Sequence, residues 1–461
     1  MLTEEDLRRL FGEDQTPALN PRIRCHILRV LQIETPPCSS GLDHKKLLYC
    51  ILSTQQTPNK SSEADTTATS FSPQPTHLVA LSHDWLDAPV LLADIVTVIE
   101  LSSAAIGRLT SLTNSTESSV IEVTPQSSAS GLIRLEVDGH RNLLVLRPDV
   151  LVSPTRVAEV CDCVRRCVVS ERTKGVGAGT GTAATLGNLK HEFIENVIKL
   201  HMSRVSSHLT SSPVPDLAAL RPSMTDPAVQ ALVYRSIQTS LLDLHKAGVA
   251  DHTLDYEFRE VFSHIPPFVE DACVRGCSDD ARYRLRSLLS AEETLWSPFL
   301  GLKGKIDMIA SAVSMGDISK GSGAAALPIE LKTGKWNTHN VSKHRAQVIL
   351  YIAMLLLREY GYSSSDRFSA TTAASSSSSS VTVAEATAGL KPAAEGLLLY
   401  INEEEWRAEW VRPSWEELKA LVIARNSIVP FLSKTIHSAQ VPLLYFISFT
   451  LHSYLEYVLP G

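Results

Sequence analysis

The sequence predicts a mixed α/β (α+β) protein in which a small β domain precedes a larger α/β domain. Three observations lead there. The chain has 461 residues and is 44% hydrophobic, which exceeds what a single core usually organises. Before Ser153 it carries six short strand-like runs with no helical pattern between them. From Ser153 onward apolar residues recur at helical spacing, and strands return only after residue 300.

The six early runs are "RCHILRVLQIE" (24–34), "KKLLYCILS" (45–53), "HLVALS" (77–82), "DIVTVIEL" (94–101), "LIRLEVDG" (132–139) and "NLLVLRPDVLVS" (142–153). Each is β-branched or Leu-rich and bounded by turn residues. Several short strands in succession predict a small barrel or sandwich. Helices are expected over "TRVAEVCDCVRRCVVSERTK" (155–174), "LGNLKHEFIENVIKLHMSRV" (186–205) and "PAVQALVYRSIQTSLLDLHKAG" (227–248). Then follow two strands, "GLKGKIDMIASAV" (301–313) and "LPIELKTGK" (327–335), a helix "SKHRAQVILYIAMLLLREYG" (342–361) and a last strand "GLLLYIN" (396–402). Ser/Thr-rich stretches at 54–76, 110–131 and 363–394 interrupt this pattern. Such composition buries too little apolar surface to offset the entropy of ordering, so they read as surface insertions. The expected domains are 1–153, 154–440 with the insertion at 363–394, and a divergent tail at 441–461.

A formal charge of −7 argues against a wholly basic nucleic-acid coat. Local charge differs: between Gly301 and Arg345 seven basic residues stand against three acids, which gives one face able to hold phosphates. The N-terminus has neither the basic start nor the apolar core of a secretory signal, so a reducing compartment is expected and the eight cysteines read as thiols or metal ligands. The apolar run Val441 to Leu459 contains His452 and Glu456 and falls short of a membrane span; no membrane partner is expected.

The chemistry concentrates in "LPIELKTGKW". Side chains alternate across a strand, so Glu330 and Lys332 share a face while Ile329 and Leu331 point to the core. In "GKIDMI" the same alternation sets Asp307 opposite to Ile306 and Met308. If the two strands pair, Asp307, Glu330 and Lys332 converge. Carboxylate oxygens suit Mg²⁺ or Mn²⁺, which polarise a phosphoryl oxygen and turn a bound water into hydroxide; Lys332 then orients that water or stabilises charge on the phosphate. A Glu-x-Lys triplet alone is more often a solvated strand face. The following helix adds Gln347 and Tyr351, four apart and so on one face, an amide and a phenol within reach of a phosphate or of Lys332. In "GNLKHEFIE" the pair His191-Glu192 lacks the second histidine of a zinc-protease helix, because Glu195 stands at that position; His191 remains as an additional metal ligand. The glycines of "KGVGAGTGT" are not followed by Lys-Ser or Lys-Thr, so no phosphate loop is read there.

In this order the motifs "GNLKHE", "LWSPFLGLKGKID", "LPIELKTGK" and "HRAQVILY" resemble the nuclease core of the eukaryotic DNA replication ATP-dependent helicase/nuclease family, a RecB-like branch of the PD-(D/E)xK superfamily. "LLVLRPDVLVSPTRVAEVCDCVRRCVVSERTKG" is similar to the segment leading into that core, and "LVALSHDWLDAPVLLADIVTVIE" to the family's N-terminal OB-like barrel. The resemblance spans about residues 21–440. It implies a β OB-like barrel ahead of a RecB-like nuclease, with metal held by His191, Asp307 and Glu330, catalysis by Lys332, and support from Gln347 and Tyr351. It also implies endonucleolytic hydrolysis of single-stranded or flap DNA in Okazaki-fragment processing and end resection. A nuclear setting, with mitochondria as a second one, follows from it, as do single-strand DNA-binding protein and replication or resection factors as partners. The family carries a 4Fe-4S cluster on four cysteines, and Cys163 of "CVRR" matches the first. No cysteine follows Cys277, so the remaining ligands are not expected in this chain, nor is the helicase half with its ATPase. Two competing readings are a stand-alone RecB-like single-strand exonuclease, which the early strands disfavour, and a catalytically inactive DNA-binding scaffold.

Overall fold

In the computed structural model of the chain the described residues are 23–36, 45–53, 74–101, 131–140, 142–173, 181–209, 218–278, 281–315, 324–361, 390–402 and 404–433. The tail at 441–461, most of the three Ser/Thr-rich stretches and nearly all of the 175–181 glycine run lie outside them. The chain is mixed α/β and divides into two compact units. Among the described residues, one unit draws on 23–172, 296–303 and 414–433, the other on 173–295 and 304–413.

The first unit holds a six-stranded sheet made of β1 (Ile23–Glu34), β2 (Lys46–Leu52), β3 (His77–Leu81), β4 (Ile95–Leu101), β5 (Ile133–Val137) and β6 (Leu143–Leu146), in the order β5-β3-β2-β1-β4-β6. All pairs are antiparallel except β3 with β5. The six expected strands are thus all present, although the last ends at Leu146, well short of Ser153. The unit extends past the expected boundary at 153: α1 (Pro154–Glu159), α2 (Val164–Arg172) and α7 (Trp415–Leu432) belong to it. The single helix expected over 155–174 is two. Ser153 caps α1 ahead of Pro154 at its first turn. The helix then stops, and Cys163 restarts it by accepting the Arg166 N–H on Sγ at 3.4 Å.

The β6 edge is closed by α7 instead of by another strand. Asn426 accepts the Leu146 N–H at 3.0 Å and donates to the Leu144 carbonyl at 2.6 Å, satisfying the backbone groups that an open edge would expose. Arg425, 1% exposed, donates to the carbonyls of Leu146, Arg147, Val150 and Gly301. Burial pulls its guanidinium down to about 9 against the pull of Asp149, so it stays charged at neutral pH. Gly301 makes room for it: its φ is +60°, and a Cβ there would lie 2.0 Å from Arg425 Nη2.

One buried histidine in this sheet makes stability depend on pH. His77 is 3% exposed and shares a hydrogen bond with Thr76 Oγ1 at 2.8 Å. Burial first, then the neighbouring His26, pushes it down to about 4, with Glu100 opposing. The unfolded chain binds this proton near 6.5, whereas the folded one refuses it until about 4. Stability is therefore intact above 6.5 and falls as pH drops toward 4, by about 1.4 kcal/mol per pH unit. Urea midpoints at pH 7 and pH 5 should differ less for His77→Leu than for the unaltered chain; an equal difference would exclude His77 as the source.

The second unit is built on a six-stranded sheet of β7 (Tyr283–Ser297), β8 (Leu302–Ser314), β9 (Ala325–Lys332), β10 (Lys391–Pro392), β11 (Gly396–Ile401) and β12 (Trp406–Val411). Its order is β12-β11-β9-β8-β7, with β10 beside β9, and β9 runs parallel to β11. One face packs on α3 (Thr182–Leu209) and α5 (Asp251–Val274): Leu327, Ile329 and Leu331 of β9 and Leu397, Leu399 and Ile401 of β11 share a core with Phe193, Val197, Phe258 and Phe268. α4 (Pro227–Lys246) packs on α3. The long α6 (Thr338–Gly361) packs on β9 and β11. Neither α5, with Pro266 and Pro267 inside it, nor β7, β12 and α7 was expected from the sequence.

Candidate metal centre

Three elements of the second unit bring the candidate residues together. β8 pairs with β9 antiparallel, with Met308 opposite Ile329. The two strands therefore do pair, and Asp307 lies one residue beyond that match. Its Oδ2 accepts the Leu331 N–H at 2.7 Å, which fixes the carboxylate between the two strands. On β9, Ile329 and Leu331 are buried in the core and Glu330 and Lys332 occupy the other face, as alternation requires. Lys332 Nζ lies 2.5 Å from Glu330 Oε1. Glu330 is 5% exposed; burial raises its pKa and Asp307 adds to the rise, while Lys332 opposes both.

α3 supplies the third side. His191 Nδ1 stands 3.8 Å from Asp307 Oδ2, and burial pushes the imidazole down, with Asp307 opposing. A neutral imidazole is the ligating form. Four residues later, one turn on and on the same face, comes Glu195, the residue that stands where a zinc-protease helix would need its second histidine. The ligand atoms of His191, Glu195 and Asp307 all lie within 4.8 Å of one another. Glu195 is 3% exposed; burial, and then Asp307, push it up to about 8 in spite of Lys305. The signal for Glu195 was the i, i+4 spacing from His191 on a helix that also carries the buried residues Leu189, Phe193 and Val197.

The donor set fits a hard divalent cation. Glu195 Oε1 and Glu330 Oε2 are buried and have no hydrogen-bond partner among the described residues, an arrangement that costs a few kcal/mol unless something positive meets them. Carboxylate oxygens with one imidazole suit Mg²⁺ or Mn²⁺. His191, Glu195 and Asp307 form the tight group, and Glu330 borders it through its interaction with Asp307.

The α6 residues behave differently from each other. Tyr351 is 4% exposed and donates its hydroxyl to the Lys305 carbonyl at 2.8 Å, bracing β8 two residues before Asp307. Burial and then Glu330 and Asp307 raise its pKa, so it stays protonated. Gln347 is 5% exposed, and its Oε1 has no partner among the described residues. His344, not singled out in the sequence, shares a 2.7 Å hydrogen bond with Tyr400, the residue paired with Lys332 on β11. Burial, then Lys332 and Lys343, push His344 down to about 4.

Among the described residues the cysteines offer no comparable cluster. Cys167 is buried, lies 3.1 Å from the Arg156 carbonyl and is pushed up to about 12 by burial, the mark of an inert thiol. Cys163 serves as the cap described above, and His191, Glu195 and Asp307 are the one group of three metal-ligating side chains among the described residues. Among the described residues no four cysteines come together as an iron-sulfur cluster requires.

A family model described as DNA replication factor Dna2 matches residues 72–312, a stretch that contains His191, Glu195 and Asp307 and stops before Glu330. Among curated proteins the chain is similar to the DNA replication ATP-dependent helicase/nuclease dna2 of Schizosaccharomyces pombe, 29% identical over 50% of this chain and 15% of that one. It is similar to human DNA replication ATP-dependent helicase/nuclease DNA2, 24% identical over 68% of this chain and 26% of that one. The Arabidopsis thaliana helicase/nuclease JHS1 is 24% identical over 67% of this chain and 20% of its own length. The chain thus spans about a quarter or less of the length of these relatives. No helix among the described residues is long and apolar enough to cross a membrane.

Proposed function

The chain belongs to the DNA replication factor Dna2 family, and from that premise we propose that its second unit is a metal-dependent nuclease acting on single-stranded or flap DNA. The observation that carries this reading is the convergence of His191, Glu195 and Asp307 on one point, bordered by the Glu330–Lys332 pair. A divalent cation held there supplies Lewis acidity to a phosphoryl oxygen and a water of lowered pKa. The residues do the rest. Asp307, fixed by the Leu331 N–H, presents an oxygen to the ion with no rotamer search on binding. Lys332, on the same strand face as Glu330, would offer its ammonium to charge growing on a phosphate in the transition state. Glu330 holds that ammonium until substrate arrives.

A RecB-like fold is supported by the central β8-β9-β11 run with a helix following β9. An OB-like first unit is supported by β1 lying between β2 and β4 and by the parallel β3–β5 pair; such a sheet offers unpaired bases a platform. Processing of lagging-strand flaps and resected ends, in the nucleus and beside single-strand DNA-binding protein, is the setting that fits such a substrate. The test is cleavage of a labelled flap oligonucleotide with Mg²⁺ or Mn²⁺, abolished by chelation. A chain that binds the flap in both conditions and never cuts it is a scaffold instead. Glu195→Gln should weaken metal affinity by at least the roughly 10- to 100-fold that loss of an outer-shell partner costs, read by calorimetry and by metal titration of cleavage; unchanged affinity would remove Glu195 from the ligand set.

A further inference from the structure

The connector between β9 and α6 carries a feature that metal chemistry does not use. Trp336, four residues past Lys332, is half-buried, and the Arg407 guanidinium carbon lies over its ring, 4.0 Å from the centroid. Arg407 itself is exposed, so one face of the guanidinium is backed by the indole and the other meets solvent. The indole N–H is buried and has no acceptor among the described residues, although a buried Trp N–H usually finds one.

Register places this pair beside the candidate centre. Lys332 on β9 pairs with Tyr400 on β11, and Tyr400 pairs with Arg407 on β12. The three side chains therefore share one face, the one opposite Leu331, Leu399 and Ala408. Two strand spacings put the Arg407 backbone about 10 Å from that of Lys332. Planar guanidinium groups stack on bases as aromatic rings do, and a base gains from stacking whatever its identity.

We propose that Arg407, backed by Trp336, is a stacking platform for an unpaired nucleobase flanking the phosphate held at Lys332. This rests on the nuclease reading for the location of the phosphate. Its consequence is substrate selection: a base held in a duplex has its faces covered by its neighbours and cannot stack there, so strand unpairing next to the cut becomes a requirement. The platform also predicts tolerance of base identity, because stacking reads a π-face and no hydrogen-bonding edge.

The test is binding of a short fluorescein-labelled single-stranded oligonucleotide to the full chain in EDTA, followed by anisotropy, with cleavage in Mg²⁺ measured separately. Trp336→Ala and Arg407→Lys should each weaken binding about five- to a hundredfold; the second keeps the charge and loses the plane. Trp336→Phe should restore most of the affinity. In a series of oligonucleotides with one abasic position moved along the strand, the unaltered chain should lose affinity at one position, and Arg407→Lys should be indifferent to it. Variants that bind within twofold of the unaltered chain, or an abasic series without a sensitive position, overturn the platform and leave the nuclease reading standing. Plane-dependent binding with no cleavage by the unaltered chain overturns the nuclease reading and keeps the platform, while a chain that binds no single strand overturns both.

Discussion

Glu330→Gln is expected to lower metal-supported cleavage by about a thousandfold, the scale of removing one preorganised electrostatic group from a transition state. The substitution is close to isosteric at a position 5% exposed. Glutamine removes the charge that an ion would meet at Oε2 and that holds Lys332 at Oε1. Because burial already works against the ionised form of Glu330, the neutral side chain should leave the melting temperature unchanged or raise it. Single-turnover cleavage of a 5′-labelled single strand, set beside binding in EDTA and a thermal melt, separates the outcomes. A variant that cuts within tenfold of the original removes Glu330 from the machinery. Lys332→Ala should match the loss of rate and leave metal affinity intact, since an ammonium supplies charge and no ligand.

Arg425→Met is expected to cost the first unit about 2–5 kcal/mol, the scale of leaving buried carbonyls short of a donor at about 1–3 kcal/mol each. Four carbonyls, of Leu146, Arg147, Val150 and Gly301, would lose the guanidinium together, while those of Arg147 and Gly301 keep the N–H groups of Val150 and Val152. Methionine fills part of the volume, so the loss reports hydrogen bonding more than a cavity. Chemical denaturation followed by near-ultraviolet circular dichroism measures it. Gly301→Ala should be similarly damaging by the converse route, driving a methyl into the guanidinium. A loss below about 1 kcal/mol for Arg425→Met would mean that water replaces the guanidinium.

Legibility in the sequence followed the range of the physics involved. Glu330 and Lys332 were readable because strand alternation is local: the buried residues Ile329 and Leu331 fix the face of their neighbours. Asp307 needed one further assumption, that β8 and β9 pair, and they do. Glu195 has a local signal, the i, i+4 spacing that puts it on one helix face with His191, but the same spacing also serves as the failed second position of a zinc motif, which hides it. Helix α5 was missed because Pro266 and Pro267 break the expected pattern, yet ten of its residues are buried in the core. The break between α1 and α2 was invisible to periodicity, since it depends on a sulfur acting as a cap. Neither the Trp336–Arg407 stack nor the His344–Tyr400 pair has a local signature, for each joins residues 71 and 56 positions apart.

The closure of β6 by Asn426 and Arg425 has a consequence for synthesis. The groups these residues satisfy lie about 280 positions earlier in the chain, and the whole second unit is encoded in between. On a ribosome adding about 5–20 residues per second, the β-rich sheet emerges first and then waits on the order of 10–60 s for the helix that seals its edge. During that interval its last strand has an uncovered ladder, and the inserted unit is complete before the enclosing one. Nascent chains stalled before residue 414 should therefore need a holding chaperone that chains stalled well after residue 433 do not.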